Sequence, residues 1–318
     1  MRETSIPSPA SLRHLRPRDC DGAAAVATVA TTTAVAVWLS LAGGAIVWLG
    51  GQLLLGFAFV QWFVLLHECG HDTLFRNRRL NAAAGTLAGL LTLIPFRNWR
   101  RVHARHHKWT GWQDLDPTTE ALVPHAIGPV QRAIVNTCWR LWIPLFSVLY
   151  RLENFWNLPR LFRMFPRCAD RRAILRDTAL VAGAALGLAA WLGPAAFARV
   201  TVPALLVSLT IEDLLLLSQH THVPQHVSHG APVQPFPAAT QAVFTRSLKL
   251  PSLLSRALLH FDAHELHHMY PFVPGYRLHR IGWTPGNAVS GWRWVTGAKR
   301  LRGDVLLFQN RLETGWDI

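Results

Sequence analysis

Charged residues are scarce in this sequence, and one long stretch contains none. Only 16% of the 318 residues are charged, half are hydrophobic, and the mean hydropathy is +0.18. Residues 22–66 include no Asp, Glu, Lys or Arg. A transmembrane helix needs about 20 apolar residues, so this stretch is long enough for two. The composition argues against a water-soluble globular domain and favours an integral membrane protein.

Cysteine is scarce as well. The four cysteines, Cys20, Cys69, Cys138 and Cys168, show no paired spacing. This pattern argues against a disulfide framework and indicates reduced thiols on the cytoplasmic side. A cleavable signal peptide is not expected, because the segment before the first apolar run is long and mixed and the run itself is too long. We expect the first helix to remain as an anchor.

Acidic residues are few, with 18 Asp and Glu against 32 Lys and Arg. The resulting net charge of +14 could suggest nucleic-acid binding, but no recognised binding motif accompanies it, so no nucleic-acid partner is expected. The basic residues concentrate between Arg76 and Arg172, from Arg246 onward, and before the first helix. The positive-inside rule then places both termini in the cytoplasm. Such a surface attracts anionic lipid headgroups and acidic proteins.

Four apolar segments predict transmembrane helices, at residues 22–41, 44–66, 178–197 and 200–218. Two shorter segments are too short to cross. We expect residues 80–96 to lie in the membrane interface or to dip into the membrane and return, and residues 139–150 to form an interfacial helix. The predicted fold class is therefore all-α, an integral membrane protein of about four transmembrane helices with interfacial helices and a cytoplasmic His-rich cap. We expect one domain over residues 1–318, comprising a hairpin (22–66), a cytoplasmic and interfacial region (67–173), a second hairpin (178–218) and a cytoplasmic region (219–318).

Histidine, in contrast, is abundant, with 16 residues. Eight of them form three clusters: the first cluster is His67 and His71, the second is His103, His106 and His107, and the third is His264, His267 and His268. Residues three and four apart share one face of a helix, so each cluster can present its imidazoles together. Eight imidazoles exceed the four or so ligands of a zinc site, and imidazole also suits iron, which favours a site for two metal ions. The even number of predicted crossings leaves all three clusters on the cytoplasmic side.

Several alternatives stay open at the level of single motifs. His67-Glu68-Cys69-Gly70-His71 fits the H-E-x-x-H pattern of zinc proteases, although a protease would need only one further ligand. A non-catalytic metal-binding membrane protein is another possibility. His220 directly follows the last predicted span and is a candidate ninth ligand, with His222 and His226 as weaker candidates. Glu212, in the same span, either orients a ligating imidazole or pairs with an arginine.

The clusters and their flanking residues resemble the membrane fatty-acid desaturase/hydroxylase superfamily, whose hallmark is H-x3-H, H-x2-H-H and a second H-x2-H-H. The resemblance extends over residues 66–280 and includes Asp116-Pro117 and His267-His268-Met269-Tyr270-Pro271. It implies a non-haem di-iron enzyme that uses O2 and two electrons on an unactivated C–H bond. The implied iron ligands are His67, His71, His103, His106, His107, His264, His267 and His268, with His220 matching the family's additional histidine.

The resemblance further implies a desaturase that introduces a C=C bond into a fatty acyl chain, preferably of an acyl lipid. Hydroxylation, carotenoid ketolation or hydroxylation, and oxidative decarboxylation on the same scaffold are the alternatives, because the residues that choose among them lie outside the clusters. No catalytic residue beyond the metal ligands and no organic cofactor are predicted. No haem or ferredoxin-like cysteine motif occurs, so electrons are expected from a separate ferredoxin-, rubredoxin- or cytochrome b5-like protein. The flanking residues resemble bacterial members, which implies a bacterial inner membrane.

Overall fold

A computed structural model describes residues 6–284 and 286–316. In chain order, the helices up to residue 220 are α1 (Asp19–Leu41), α2 (Ala45–Gly70), α3 (Arg78–Thr92), α4 (Phe96–Trp109), α5 (Pro129–Arg140), α6 (Leu145–Arg151), α7 (Leu158–Met164), α8 (Cys168–Leu192) and α9 (Pro194–His220). The helices that follow are α10 (Ser252–Ala257), α11 (His264–Met269), α12 (Gly275–Leu278), α13 (Gly291–Arg300), α14 (Gly303–Phe308) and α15 (Arg311–Thr314). Glu120–Leu122 and Ala238–Phe244 are 3-10 turns, Leu152–Trp156 is a π-helical turn, and the strands β1 (Leu248–Lys249) and β2 (Val289–Ser290) pair in parallel.

The prediction of an all-α integral membrane fold is confirmed. Four helices, α1, α2, α8 and α9, are long and apolar enough to cross a membrane. Two bent helix pairs, α3 with α4 and α5 with residues 145–156, would raise the number to six if each were one span. Both numbers are even, as the proposed common side for the two termini requires.

The predicted boundaries of the second hairpin are wrong where its two helices join. Helix α8 begins at Cys168 and ends at Leu192, and α9 begins at Pro194, whereas the sequence suggested a connection near Arg199. Gly193 adopts a φ of 85°, which glycine reaches without steric cost, and proline is favoured in a first helical turn. The turn is therefore determined by Gly193-Pro194, and the charged Arg199 lies within the helix.

The prediction of one interfacial helix over residues 139–150 is also wrong. Helix α5 ends at Arg140, and α6 starts only at Leu145. Between them Trp142 has a left-handed φ of 60°, and Pro144 has no N–H to donate. The aromatic content that suggested a helix therefore belongs to the ends of two different helices.

The apolar segment at residues 80–96 ends in a sharp bend. Helix α3 ends at Thr92, Leu93 takes a left-handed φ of 56°, and α4 begins at Phe96 after Pro95. The axes of α3 and α4 differ by 102°. The bend fits the expectation of a segment that does not cross, while its position relative to the lipid stays a prediction.

The chain divides into two compact units, and the expectation of a single domain stays a prediction. We call residues 17–102 and 146–212 the helical unit, and residues 1–16, 103–145 and 213–318 the histidine unit. The chain passes between them before α1, within α4, at the start of α6 and within α9, so both α4 and α9 contribute to each unit.

Within the helical unit, a polar side chain joins three apolar helices. Gln52 of α2 is buried and donates from Nε2 to Ser40 Oγ of α1 at 2.8 Å. Its Oε1 accepts the backbone N–H of Ala204 in α9 at 3.1 Å. Gly51 permits the close approach, since a Cβ there would lie 2.6 Å from the Ser40 backbone nitrogen. Leaving these polar groups without hydrogen bonds in an apolar environment would cost free energy, so Gln52 fixes the packing of α1, α2 and α9.

The carboxylate of Glu212 is paired with an arginine. Arg151 Nη2 donates to both oxygens of Glu212 at 2.6 and 2.7 Å, and Ser208 Oγ donates to Oε1 at 2.9 Å. Arg151 Nη1 also donates to the carbonyl of Thr92, which ties α3 to the pair. The alternative that Glu212 orients a metal-binding imidazole is therefore not supported, and the arginine-paired interpretation is the correct one.

We expect Arg151→Met to lower the free energy of unfolding by about 3–5 kcal/mol, because it leaves the buried Glu212 carboxylate without its cation. Urea unfolding of the purified protein in a mild detergent measures this change. Arg18→Met is the matched control, since the Arg18 side chain is 62% exposed whereas that of Arg151 is 9% exposed, and a surface pair contributes at most about 1 kcal/mol. The double variant Arg151→Met/Glu212→Met should recover most of the loss, and equal losses in single and double variants would contradict the charge argument.

Candidate metal centre

Three short pieces of helix carry the imidazoles of the histidine unit. The second cluster lies on the last turns of α4, the third cluster lies on α11, and His220 is the last residue of α9. Most of these side chains are buried, with His268 fully inaccessible and His106 and His264 each 3% exposed. Burial of so many imidazoles in one place requires partners for their ring nitrogens.

Four imidazoles form one compact group, His106, His220, His264 and His268. Their ligand nitrogens all lie within 4.8 Å of one another. The Nε2 atoms follow each other at 3.2 Å from His106 to His268, 3.0 Å from His268 to His264, and 2.9 Å from His264 to His220. Nitrogens bound to a single ion at about 2.1 Å in tetrahedral geometry lie about 3.4 Å apart, so these distances fit a shared ion.

The outer ring nitrogens of two members define their tautomers. His106 Nδ1 lies 2.7 Å from Asp116 Oδ2, and His268 Nδ1 lies 3.1 Å from Gln241 Oε1. Both partner atoms are acceptors, so each Nδ1 carries a proton, and in the neutral ring each Nε2 then presents a lone pair, an assignment made from the hydrogen-bond network. Two lone pairs facing each other at 3.2 Å repel unless a cation lies between them. The group therefore fits a metal ion.

The charge state of His268 agrees with metal binding. Burial, reinforced by the neighbouring His107 and His264, lowers the pKa of His268 well below its usual value. The imidazole is thus neutral at physiological pH, which is the form that coordinates a metal.

A second group of imidazoles lies beside the first. His107 Nε2 is 3.1 Å from His103 Nε2 and 3.0 Å from His267 Nε2. The rings of His107 and His268 stack with centroids 4.3 Å apart, so the two groups are neighbours. Gln241 links them, since its Nε2 donates to the carbonyl of His107 at 2.8 Å while its Oε1 faces His268.

The first cluster belongs to the helical unit. His67 is buried in the last turn of α2, and His71 caps that helix, with ring centroids 5.0 Å apart. Trp99 packs edge-on against His67, and Thr73 Oγ1 donates to Glu68 Oε2 at 2.8 Å. The participation of His67 and His71 in a common metal centre stays a prediction from their spacing.

The two weaker ligand candidates lie outside both groups. His222 is buried, and its ring packs edge-on against Trp316 at 4.9 Å. Burial lowers the pKa of His222 to about 4, so it is a neutral packing residue at physiological pH. His226 pairs its backbone with the segment around Trp112, and its ring contacts Phe236 and Phe244.

Two residues that orient the imidazoles had not been assigned a role from the sequence. Asp116 occurs in the Asp-Pro motif after the second cluster. Its position ten residues after His106 is the sequence signal that could have identified it, and the structure shows that it is buried. Gln241 lies in a 3-10 turn far from any motif and gave no signal.

Helix α11 is held by contacts on its other side. Burial raises the pKa of Glu265, although its carboxylate accepts the backbone N–H of Ser247 at 3.2 Å and of Asn287 at 2.9 Å. Tyr270 Oη donates to the carbonyl of Pro7 at 2.7 Å, and Leu12 and Leu15 pack in the same apolar cluster as Leu266 and Met269. The N-terminal segment and the paired strands therefore position the third cluster.

Comparison with known proteins identifies similar chains. Residues 43–284 match the model of the family described as fatty acid desaturase. A Bacillus subtilis "Fatty acid desaturase" is 28% identical over 68% of this chain and 62% of its own length. An "sn-1 oleoyl-lipid 12-desaturase" of Picosynechococcus is 37% identical over 42% of this chain and 38% of its own length. The matched region thus spans less than two thirds of either relative.

We expect Asp116→Asn to weaken metal binding by about 10- to 100-fold, because the amide no longer holds the His106 Nδ1–H as a carboxylate does. Metal content after dialysis against graded chelator, measured by inductively coupled plasma mass spectrometry, reports the affinity. Asp114→Asn is the matched control, since Asp114 lies in the same loop and accepts from Ser228. Equal metal retention in the Asp116 variant and the wild type would rule out the orienting role.

Proposed function

The chain belongs to the fatty acid desaturase family, and from this premise we propose that it is an O2-dependent membrane oxidoreductase that introduces a C=C bond into the acyl chain of a lipid. The observation that carries the proposal is the pair of adjacent imidazole groups, with inward lone pairs and outward hydrogen bonds, in the histidine unit. Relatives named as acyl-lipid desaturases support an acyl-lipid substrate.

We propose two iron ions as the resident metals. His106, His220, His264 and His268 would hold one, and His103, His107 and His267 would contribute to the other. His67 and His71 are proposed as further ligands from their spacing in the sequence. Imidazole is a suitable ligand for iron, and its neutrality adds no negative charge to the centre. When bound, the iron pair supplies the O2 activation that an unactivated C–H bond demands.

The protein's own residues would prepare and protect this centre. Asp116 and Gln241 hold the protons of His106 and His268 on Nδ1, so that both Nε2 atoms face inward before any metal arrives. Burial of the imidazoles excludes bulk water, which limits loss of oxidant to side reactions. In the overall reaction the acyl chain loses two hydrogens, and O2 takes these with two electrons and two protons to form two water molecules.

The electrons would come from a separate protein. One relative is named "sn-2 acyl-lipid omega-3 desaturase (ferredoxin), chloroplastic", which supports a donor of the ferredoxin class, with rubredoxin or cytochrome b5 as the other candidates. The basic surface indicated by the +14 charge suits an acidic donor.

We expect the purified wild-type protein, loaded with iron, to hold about two ions per chain and to convert a supplied oleoyl lipid to a product two mass units lighter. His107→Ala and His268→Ala should each reduce turnover at least 100-fold, since each removes a ligand. Lipid mass spectrometry with a reductant and ferredoxin measures the product. His125→Ala is the control, because His125 is exposed and belongs to neither imidazole group; it contacts the carbonyl of Val123 and the ring of Phe308.

Other products would replace the proposal by a related reaction. A gain of one oxygen indicates hydroxylation, a gain of oxygen with loss of two hydrogens indicates ketolation, and loss of one carbon indicates decarboxylation. Zinc in place of iron, with peptide cleavage abolished by Glu68→Gln, would instead support the protease hypothesis. A metal-loaded protein that consumes no O2 with reductant present would support a non-catalytic role.

We propose that both termini face the cytoplasm of a bacterial inner membrane. The even number of candidate spans and the basic loops support this topology. Alkaline phosphatase fused after Trp316 should therefore be inactive, because this enzyme folds to its active form only after export. Green fluorescent protein fused at the same position should be fluorescent, because it folds in the cytoplasm. Active phosphatase at either terminus would contradict the topology.

A further inference from the structure

A cavity of about 530 Å³ lies in the histidine unit between the C-terminal end of α5 and the junction of α13 with α14. Four of the residues that line it are basic, Arg140, Lys299, Arg300 and Arg302, and none is acidic. Its volume falls within the range of sites for small molecules. The cavity is separate from the imidazole groups, as it contains no histidine.

The ammonium group of Lys299 is held rigidly in the wall of this cavity. It donates to the carbonyl of Trp139 at 2.5 Å and lies 3.6 and 3.9 Å from the ring centroids of Trp139 and Trp142. These three contacts fix the side chain, so an added ligand meets a preorganised positive charge. Burial lowers the pKa of Lys299 to about 8, against the opposing effect of Asp213, so the ammonium still prevails at pH 7.

Positive charge in the cavity wall is only partly neutralised. Asp304 pairs with Arg302 through two hydrogen bonds, at 3.0 and 2.8 Å, and lies 3.4 Å from Arg132. Asp213 also acts electrostatically on Lys299, but the described residues that line the cavity include no acidic one. Arg140, Lys299 and Arg300 thus give the cavity a net positive charge.

Exposed apolar residues adjoin the basic wall. Leu141, Trp142 and Ile143 follow Arg140 directly and are 60%, 46% and 47% exposed. Trp142 has a left-handed φ of 60°, a conformation that non-glycine residues seldom adopt and that clusters at ligand-binding sites. Tryptophan beside arginine and lysine is typical of the level of lipid headgroups in a membrane protein.

We propose that this cavity binds the phosphodiester headgroup of an anionic glycerophospholipid, with Arg140, Lys299 and Arg300 supplying the positive charge and with acyl chains passing along Leu141 and Ile143. A phosphate group is bound by positively charged side chains, and an acyl chain would cover the exposed apolar side chains beside them. A docked acidic protein is less well suited, because a stable protein interface needs more than about 1,000 Å² of fitted surface, whereas this feature is a small concavity. The proposal does not depend on the reaction that the enzyme catalyses.

Native mass spectrometry of the full chain in a neutral detergent tests the proposal, with dioleoyl phosphatidylglycerol, dioleoyl phosphatidylcholine and inorganic phosphate as probes. We expect at least five-fold tighter binding of phosphatidylglycerol than of phosphatidylcholine. Lys299→Met, Arg140→Gln and Arg300→Gln should each weaken phosphatidylglycerol binding about five-fold, the loss expected for one interfacial charge. Arg293→Gln is the matched control. Arg293 is exposed and lies in α13, the helix of Lys299 and Arg300, but it does not line the cavity.

Any of the three following results would overturn the proposal. Equal losses in Arg293→Gln and the cavity variants would indicate diffuse surface charge. Inorganic phosphate that binds as tightly as phosphatidylglycerol would indicate a free-phosphate site. Loss of binding to an acidic ferredoxin, with phosphatidylglycerol binding retained, would identify the cavity as a protein-docking surface. Arg140 and Arg300 are exposed, so their variants test the proposal even if Lys299→Met fails to fold.

Discussion

The repulsion between inward-facing imidazole lone pairs is the constraint on which the histidine unit depends. Imidazoles whose Nε2 atoms lie 2.9–3.2 Å apart repel one another when both nitrogens carry lone pairs, and the Nδ1 protons of His106 and His268 are donated to Asp116 and Gln241. Such an arrangement is stable only where surrounding contacts hold it or a cation neutralises it. The contacts that do so without metal are outside the group: the Asp116 loop, the Gln241 turn, and the attachment of α11 through Glu265 and Tyr270. These contacts thereby hold the imidazoles in fixed positions.

In the helical unit, where charged residues are scarce, a small number of polar contacts determines how the helices pack. Where apolar helices pack, each polar side chain must find its partner inside the protein, because lipid offers none. Gln52 satisfies Ser40 and the backbone of Ala204, and Arg151 satisfies Glu212 and the carbonyl of Thr92. These contacts are directional, unlike apolar packing, so they specify which helices are neighbours. A few polar residues therefore determine the arrangement of a unit that hydropathy alone leaves undetermined.

The sequence predicted what depends on local periodicity. Charge-free stretches identified the membrane helices, and spacings of three and four residues grouped the imidazoles, because both properties are set within one helix. It failed where backbone conformation decides: Gly193-Pro194 ends a helix that hydropathy carried to residue 197, and Trp142 with Pro144 breaks the segment predicted as one helix. The role of Gln241 was unpredictable, since a lone glutamine acquires its function only when the fold brings it to His107 and His268.

The features that define the imidazole groups do not by themselves choose a reaction. The proposed ligands and the residues that orient them would determine how metal ions are held, and this requirement is the same for removal of two hydrogens as for insertion of oxygen. The choice depends on how a substrate carbon is held beside the centre and whether it can move after the first hydrogen is lost, which is a matter of the shape of the apolar residues that would line a substrate site. Residues such as Asp116 and Gln241 therefore should be shared among proteins with different products, whereas the apolar residues that contact the acyl chain should differ. A change of product is accordingly expected from substitutions in that lining that leave every imidazole contact intact.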